Sequence, residues 1–343
     1  MRLVALFLML LLAACGQKLP QGVTELVYAS PYSPGHPFSR ADRQWMAFVE
    51  ARSGGKLRIR PIWSGGLLSS EMSMEELRHG VADIGLITPI YVRGGTHLIR
   101  TQSGFYSGVR SIAGQVALYR CIAAAAPEVA HELRGLKVLA VQGGSLPGIV
   151  TRDRAVRTLD DLRGLRLRAP SELLAVLERL GADPVNMPMG EVYSSMAKGV
   201  IDGVVAPADT FAALHFAEVA KHFSTLAVPR GAYPARAMGE ARWQRLSDDE
   251  RRILAESSAV WEKALASEVE AAAARGLSAA RAKAIDIAAM PPAEQARFDR
   301  LYLEDAQGNA RGLSRLGIDG MHAFAAARGS IAGPDQIRCR TPR

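Results

Sequence analysis

The chain has 343 residues, 48% of them hydrophobic and 22% charged, a composition that supports buried cores, suits two lobes better than one, and excludes a disordered chain. The formal net charge is +8, from 42 basic and 34 acidic residues. That excess is spread thinly, over Arg58 and Arg60, then Arg152, Arg154, Arg157, Arg163, Arg166 and Arg168, and only 6% of residues are aromatic, which argues against a nucleic-acid partner.

Met1-Arg2 is a short positive start, and Leu3 to Leu12 is an apolar run about ten residues long, too short to span a bilayer. The run ends in Leu12-Ala13-Ala14-Cys15-Gly16, which resembles a bacterial lipobox. On that reading residues 1–14 are a signal peptide, Cys15 is acylated as the new N-terminus, and residues 15–23 are a tether. The plainer reading is a secretory signal followed by a chance cysteine. Gly16 rather than Asp follows the cysteine, so inner-membrane retention is not signalled. Cys121 and Cys339 then remain in an oxidising compartment. They form either a disulfide that pins the C-terminal tail or one buried and one free thiol.

Leu26 to Ser30 reads as a strand, followed by a turn rich in Pro and Gly (Pro31, Pro34, Gly35, Pro37). Residues 38–52 fit an amphipathic helix stopped by Gly54-Gly55, and Leu57 to Trp63 alternates as a strand. A helix at about 70–80 and a strand at Ile84 to Thr88 complete βαβ order, which predicts helices over a largely parallel sheet. A second unit begins at Val138 to Val141, ending in Gly143-Gly144-Ser145. Strands follow at Leu165 to Arg168, Asp183 to Met187 and Gly203 to Val205, with helices at Ser171 to Leu180 and 190–199. Beyond 247 the chain is Ala-rich and helical. Ser247-Asp248-Asp249-Glu250 reads as a capping box, and Pro291-Pro292 opens another helix.

One segment recurs. Gly80-Val81-Ala82-Asp83-Ile84-Gly85-Leu86-Ile87-Thr88-Pro89 matches Gly199-Val200-Ile201-Asp202-Gly203-Val204-Val205-Ala206-Pro207, with one residue's difference in length. In open α/β sheets ligands sit beyond the carboxyl ends of strands, so the two strand ends suit two walls of one cleft. Arg168 ends a strand just before Pro170 and a helix start at Ser171, where a guanidinium fork and helix amides suit a carboxylate. A surface arginine pair with Arg166 is the bland alternative. Gly143-Gly144-Ser145-Leu146-Pro147-Gly148 has the outer spacing of a phosphate loop, but Ile149 and Val150 stand where Lys and Ser/Thr are required, so a crossover between lobes explains the glycines better. No His-Glu-x-x-His or Gly-x-Ser-x-Gly is present, and no catalytic set, metal site or cofactor site assembles. His215 and His222 lie seven apart on an expected helix face, better read as packed or solvated than as a metal pair. Asp160-Asp161 and Asp248-Asp249 read as helix caps.

From about residue 24 to 310 the chain resembles the substrate-binding subunits of tripartite ATP-independent periplasmic (TRAP) transporters, the DctP family. The resemblance is densest over Thr158-Leu159-Asp160-Asp161-Leu162-Arg163-Gly164-Leu165-Arg166-Leu167-Arg168-Ala169-Pro170. It continues through Leu180 to Tyr193, Gly199 to Pro207, and Phe216-Ala217-Glu218-Val219-Ala220-Lys221. It implies an α/β, two-lobe periplasmic binding protein fold of type II character, with a ligand cleft that closes by hinge motion and a long C-terminal helix shared by both lobes. The lobes implied are residues 24–143 plus 232–275, and 144–231 plus 276–335.

By the same resemblance Arg168 grips a substrate carboxylate. Thr88, Tyr91, Ser30, Met189 and Asp209 fall on cleft-lining stretches, and Tyr233 and Arg236 lie where the chain recrosses to the first lobe. Two departures stand out. Ala206 occupies the place of an asparagine that helps hold the ligand, and Gly148 falls where some members carry a second arginine or a polar residue, with Arg152 nearby as a substitute. Fewer polar groups imply a monocarboxylate with an apolar or aromatic body. The implied protein is not an enzyme. It is a periplasmic, lipid-anchored binding subunit that hands a small organic acid to one small and one large membrane subunit. A lipid-anchored enzyme or a sensor accessory protein acting on small acids is the alternative.

Overall fold

The computed structural model describes residues 21–92, 94–333 and 335–340. The signal peptide and Cys15 lie outside the described residues. Thirteen strands are present among the described residues: β1 (Thr24–Ala29), β2 (Leu57–Ile62), β3 (Ile84–Leu86), β4 (Leu136–Gln142), β5 (Gly148–Thr151), β6 (Arg166–Arg168), β7 (Asp183–Val185), β8 (Gly203–Ala206), β9 (His222–Ser224), β10 (Tyr233–Gly239), β11 (Asp286–Ala288), β12 (Ile331–Gly333) and β13 (Gln336–Ile337). The longer helices are α1 (Pro37–Arg52), α2 (Ile112–Ala125), α3 (Asp248–Ala282), α4 (Pro292–Gly312) and α5 (Gly320–Ser330).

Two sheets form the two lobes, in the orders β2-β1-β3-β10-β4 and β11-β9-β5-β8-β6-β7. Apolar residues alternate inward at the edge of the first sheet: in β2, Leu57 and Ile59 are buried and Arg58 and Arg60 exposed. The expectation of largely parallel sheets holds for all but one strand of each. β10 runs antiparallel to both β3 and β4, and β5 antiparallel to both β8 and β9. The reason is topological. Residues 143–147 carry the chain from β4 into the second sheet and residues 225–232 bring it back from β9. Each strand entered by such a direct crossing inserts with reversed direction.

The long helix starts at the predicted capping box. The Ser247 backbone N–H donates to Glu250 at 2.7 Å, and the Glu250 N–H donates to the Ser247 hydroxyl. At about 1.5 Å per residue its 35 residues run roughly 50 Å, enough to pass both lobes. Near its start Trp261 stacks on Trp45 of α1, with ring centroids 3.6 Å apart. Near its end Gly276 meets the backbone of Ala208 and Asp209 in the second lobe, an approach that any Cβ would block.

Residues 276–335, expected with the second lobe, divide between both. Phe298 and Tyr302 of α4 pack in the second lobe's core, whereas Ala306, Ala310, Leu313 and the α5 residues Ala323 and Ala327 pack in the first lobe's. The tail stays there. Cys339 is disulfide-bonded to Cys121 of α2, with Cα atoms 5.0 Å apart, and Asp335 accepts from the Arg110 and Ser111 amides. His215 and His222 do not share a helix: His215 adopts a left-handed turn and His222 begins β9.

Asp42 is wholly buried in the first lobe. It accepts from Arg236 at 2.9 Å, from the Trp261 indole at 2.8 Å and from the Tyr28 hydroxyl. Burial alone would favour a neutral guanidine, but Asp42 and then Tyr28 outweigh it and hold Arg236 above its ordinary value. Removing one partner strands the other charge. We predict that Arg236→Met lowers unfolding free energy by about 3–5 kcal/mol; a denaturant midpoint equal to wild type would disprove this role.

Candidate functional site

A cavity of about 130 Å³ lies between the lobes, where the carboxyl ends of the parallel strands of both sheets meet. Beyond β1 the Pro/Gly-rich turn delivers Tyr32 and His36, and Phe38 follows in α1. Beyond β3 come Thr88 and Tyr91. From the second lobe come Arg168 at the end of β6, Glu172, Met189, and Pro207 and Asp209 after β8. The two crossings contribute Gly144 and Arg230, and Tyr233 opens β10.

Arg168 is 2% exposed. Its Nε donates to the Met187 carbonyl at 2.9 Å, which fixes the plane of the guanidinium. One Nη donates to the Tyr91 hydroxyl of the other lobe at 2.6 Å, and Tyr91's ring lies 5.8 Å from the guanidinium carbon. Among the described residues no carboxylate stands within ion-pair distance of it. A buried guanidinium without a counter-ion is costly unless an anion arrives.

On the side of the first lobe it faces aromatic, uncharged side chains. His36 is buried, stacked on Tyr32 with centroids 4.0 Å apart, and its Nδ1 accepts from the Phe38 amide. Burial first, then the charges of Arg236 and Arg40, lower its pKa to about 3, so the ring is neutral under ordinary conditions. Burial, and next the Tyr91 and Tyr233 phenols, push Tyr32 up.

The sequence profile of the DctP family, described as bacterial extracellular solute-binding protein, family 7, matches residues 28–307. The chain belongs to the DctP family. It is 26% identical to a solute-binding protein of Albidiferax ferrireducens over 260 residues, 73% of this chain and 71% of that one. Among solved structures, a TRAP solute-binding protein from Rhodoferax ferrireducens T118, in complex with copurified benzoate, matches with TM-score 0.82 at 24% identity, over 90% of this chain and 97% of that one. A marine-metagenome TRAP solute-binding protein from an unidentified microbe, specific for aromatic acid ligands and in complex with metahydroxyphenylacetate, matches with TM-score 0.81 at 21% identity, over 89% and 98%. No helix among the described residues is long and apolar enough to cross a membrane.

In this DctP-family chain Arg168, Thr88, Tyr91, Met189, Asp209 and Tyr233 all line the cavity. Ser30, Ala206, Arg236 and Arg152 do not. Ser30 sits just behind it, accepting from the Tyr32 amide at 3.3 Å and so shaping the turn that presents Tyr32. Ala206 faces the core, while its neighbours Val205 and Pro207 reach the cavity. Arg236 is spent on Asp42. Arg152 is carried to the far end of the sheet, because β5 is antiparallel and pairs Thr151 with Gly203, the start of β8. There it donates to the Met196 carbonyl at 3.0 Å and pairs with Asp153. Arg166, two residues from Arg168, stays exposed and pairs with Asp183 at 3.0 Å.

The expectation of few polar groups also needs correction. Gly148 cannot carry a side chain, since a Cβ there would meet the Ser224 carbonyl and the Phe223 ring. A second guanidinium arrives instead from Arg230, in the return crossing. It lies over Gly144, where an added Cβ would stand 2.5 Å from its Nη1. Glu172 and Asp209 complete this wall, each with a buried carboxylate oxygen that has no hydrogen-bond partner. The sequence signal for Arg230 was only its setting between Pro229 and Gly231 in a connection. Burial pushes Asp209 up to about 6, with Arg230 opposing. An acid whose pKa rises on folding destabilises the fold as pH climbs from its unfolded value, near 3.8, to its folded one. Between pH 4 and 7, Asp209→Asn should therefore gain on wild type by up to about 3 kcal/mol in denaturant titrations of the ligand-free protein. A constant difference across that range would refute the assignment.

Proposed function

We propose that this protein captures a small monocarboxylate with an apolar or aromatic body in the periplasm and delivers it to TRAP membrane subunits without chemically altering it. The observation that carries the reading is Arg168: a buried, oriented guanidinium with no carboxylate within ion-pair distance among the described residues, at a strand end, bonded across the cleft to Tyr91. A carboxylate there would meet donors fixed by Met187 and Tyr91, with both lobes contributing, so binding would favour the closed arrangement. The cavity volume, about 130 Å³, is close to the roughly 150 Å³ of an apolar cavity that holds benzene. That suits a single ring or short chain better than a large ligand. The aromatic acids bound by the two structural neighbours are of that size. Phe38, Ile90, Leu173, Met189, Leu214 and Val269 supply apolar wall.

The lipobox supports a tether on Cys15 that keeps the binding protein at the membrane surface. Cys15→Ser should release the protein into the soluble periplasmic fraction and abolish fatty-acid labelling; a labelled variant would exclude acylation at that cysteine.

Calorimetric titration with benzoate, phenylacetate and short aliphatic acids tests the ligand class. Arg168→Ala should weaken the best ligand on the order of 30-fold or more, since breaking a desolvated charge-assisted pair costs about 2–5 kcal/mol. Arg168→Lys should not restore it, because an ammonium lacks the fork and cannot reach both Met187 and Tyr91 in one plane. Unchanged affinity in Arg168→Ala would overturn the reading.

A further inference from the structure

The cavity has a second polar wall that a carboxylate at Arg168 leaves unused. Asp209 follows β8 and precedes a helical turn (Thr210–Ala213), the position where an aspartate ordinarily accepts from the helix amides. Here it makes no capping bond, it is 7% exposed, and its Oδ1 has no partner. Its backbone is held close against Gly276 of the long helix, so the carboxylate is set by packing rather than by a cap. Arg230 lines the same cavity as Asp209 and Glu172, and its bond to the Ser145 carbonyl is a long 3.5 Å. Burial pushes the Glu172 carboxyl up, with Arg168, Arg100 and Arg230 opposing. Burying acceptors and donors of this strength without partners is costly, and an explanation is owed by a ligand or ordered water.

We propose that Asp209 and Arg230 form a hydroxyl-recognising pole, so that the preferred ligand is a monocarboxylate carrying a hydroxyl group away from its acid group. The inference rests on the monocarboxylate reading above and adds its specificity. A hydroxyl donates once and accepts, which matches an acceptor at Asp209 beside a donor at Arg230. A second carboxylate at that wall would meet Arg230 but face two acidic side chains. An ammonium would meet the acids but face two guanidinium groups. A site built to bond a hydroxyl discriminates strongly against the analogue that lacks it, because its own polar groups are then left unpaired.

The test is calorimetric titration of the whole protein with benzoate, 3-hydroxybenzoate, phenylacetate, 3-hydroxyphenylacetate, isophthalate and 3-(aminomethyl)benzoate. In wild type at least one hydroxylated acid should bind ten-fold or more tighter than its parent, and tighter than the diacid and the amino acid. In Asp209→Leu that ratio should fall below three-fold while the parent acid still binds, which also shows the variant is folded. Arg230→Met should reduce the ratio independently. Equal binding of hydroxylated and parent acids by wild type, a ratio that survives both substitutions, or tightest binding by isophthalate or the aminomethyl compound would overturn the hydroxyl pole and leave the carboxylate site standing. If none of these monocarboxylates binds, the monocarboxylate reading fails and the pole fails with it.

Discussion

Much of the first lobe depends on where one buried carboxylate finds its partners. Asp42 belongs to α1, yet its bonds go to β1 through Tyr28, to β10 through Arg236 and to the long helix α3 through Trp261. Four elements far apart in sequence are thereby held to one register. Burying the ion pair contributes little net stability by itself, because desolvation opposes the attraction. Its effect is to exclude alternative packings, since any shift of α3 or β10 would leave a charge unpaired in an apolar core. The stacked Trp45 and Trp261 rings add area beside it. The network also reaches toward the cavity. Arg236 donates to Gln142, and Gln142 lies 3.4 Å from the hydroxyl of Tyr233, which lines the site.

The second lobe is joined to that anchored body by two crossings and two helices. The crossings set the directions of β5 and β10, and those directions decide which residues reach the cleft. Glycine governs the details. Gly144 lets Arg230 lie flat over the first crossing, Gly148 lets β5 pack against Phe223 and Ser224, and Gly276 lets α3 touch the loop carrying Asp209. The site therefore combines one guanidinium presented by a parallel strand with a second presented by a connection. The parallel-strand arginine, Arg168, is held by the Met187 carbonyl and by the Tyr91 hydroxyl. The connection arginine, Arg230, makes a longer bond, 3.5 Å, to the Ser145 carbonyl.

Much of this was readable before any coordinates. Short apolar runs and, in β2, alternation placed β1, β2, β6 and β8 within a residue or two. The Ser247–Glu250 capping box located the start of the long helix from side-chain chemistry alone. The repeat ending in Thr88-Pro89 and Ala206-Pro207 located both cleft walls, since both follow a strand's carboxyl end. Arg168 was legible from its strand end, whereas Thr88, Tyr91, Met189, Asp209 and Tyr233 were legible through the family resemblance; all six line the cavity.

Two of the residues that do not reach the cavity share a physical cause. Arg236 lies on β10 and Arg152 directly follows β5, the two strands that run antiparallel, and strand direction is set by which neighbour a strand inserts between, not by its own residues. Arg230 and Glu172 carry no periodic signal, and their convergence with Asp209 exists only once the lobes are packed. The disulfide likewise needed the fold, because Cys121 and Cys339 are 218 positions apart and only the docking of α5 on α2 brings them together. Local chemistry thus determined the elements, their caps and the one arginine that ends a strand. Tertiary packing alone decided strand direction, which charges were consumed in the core, and which unpaired donors and acceptors were left facing the cavity, since each of these is a relation between segments that no single segment encodes.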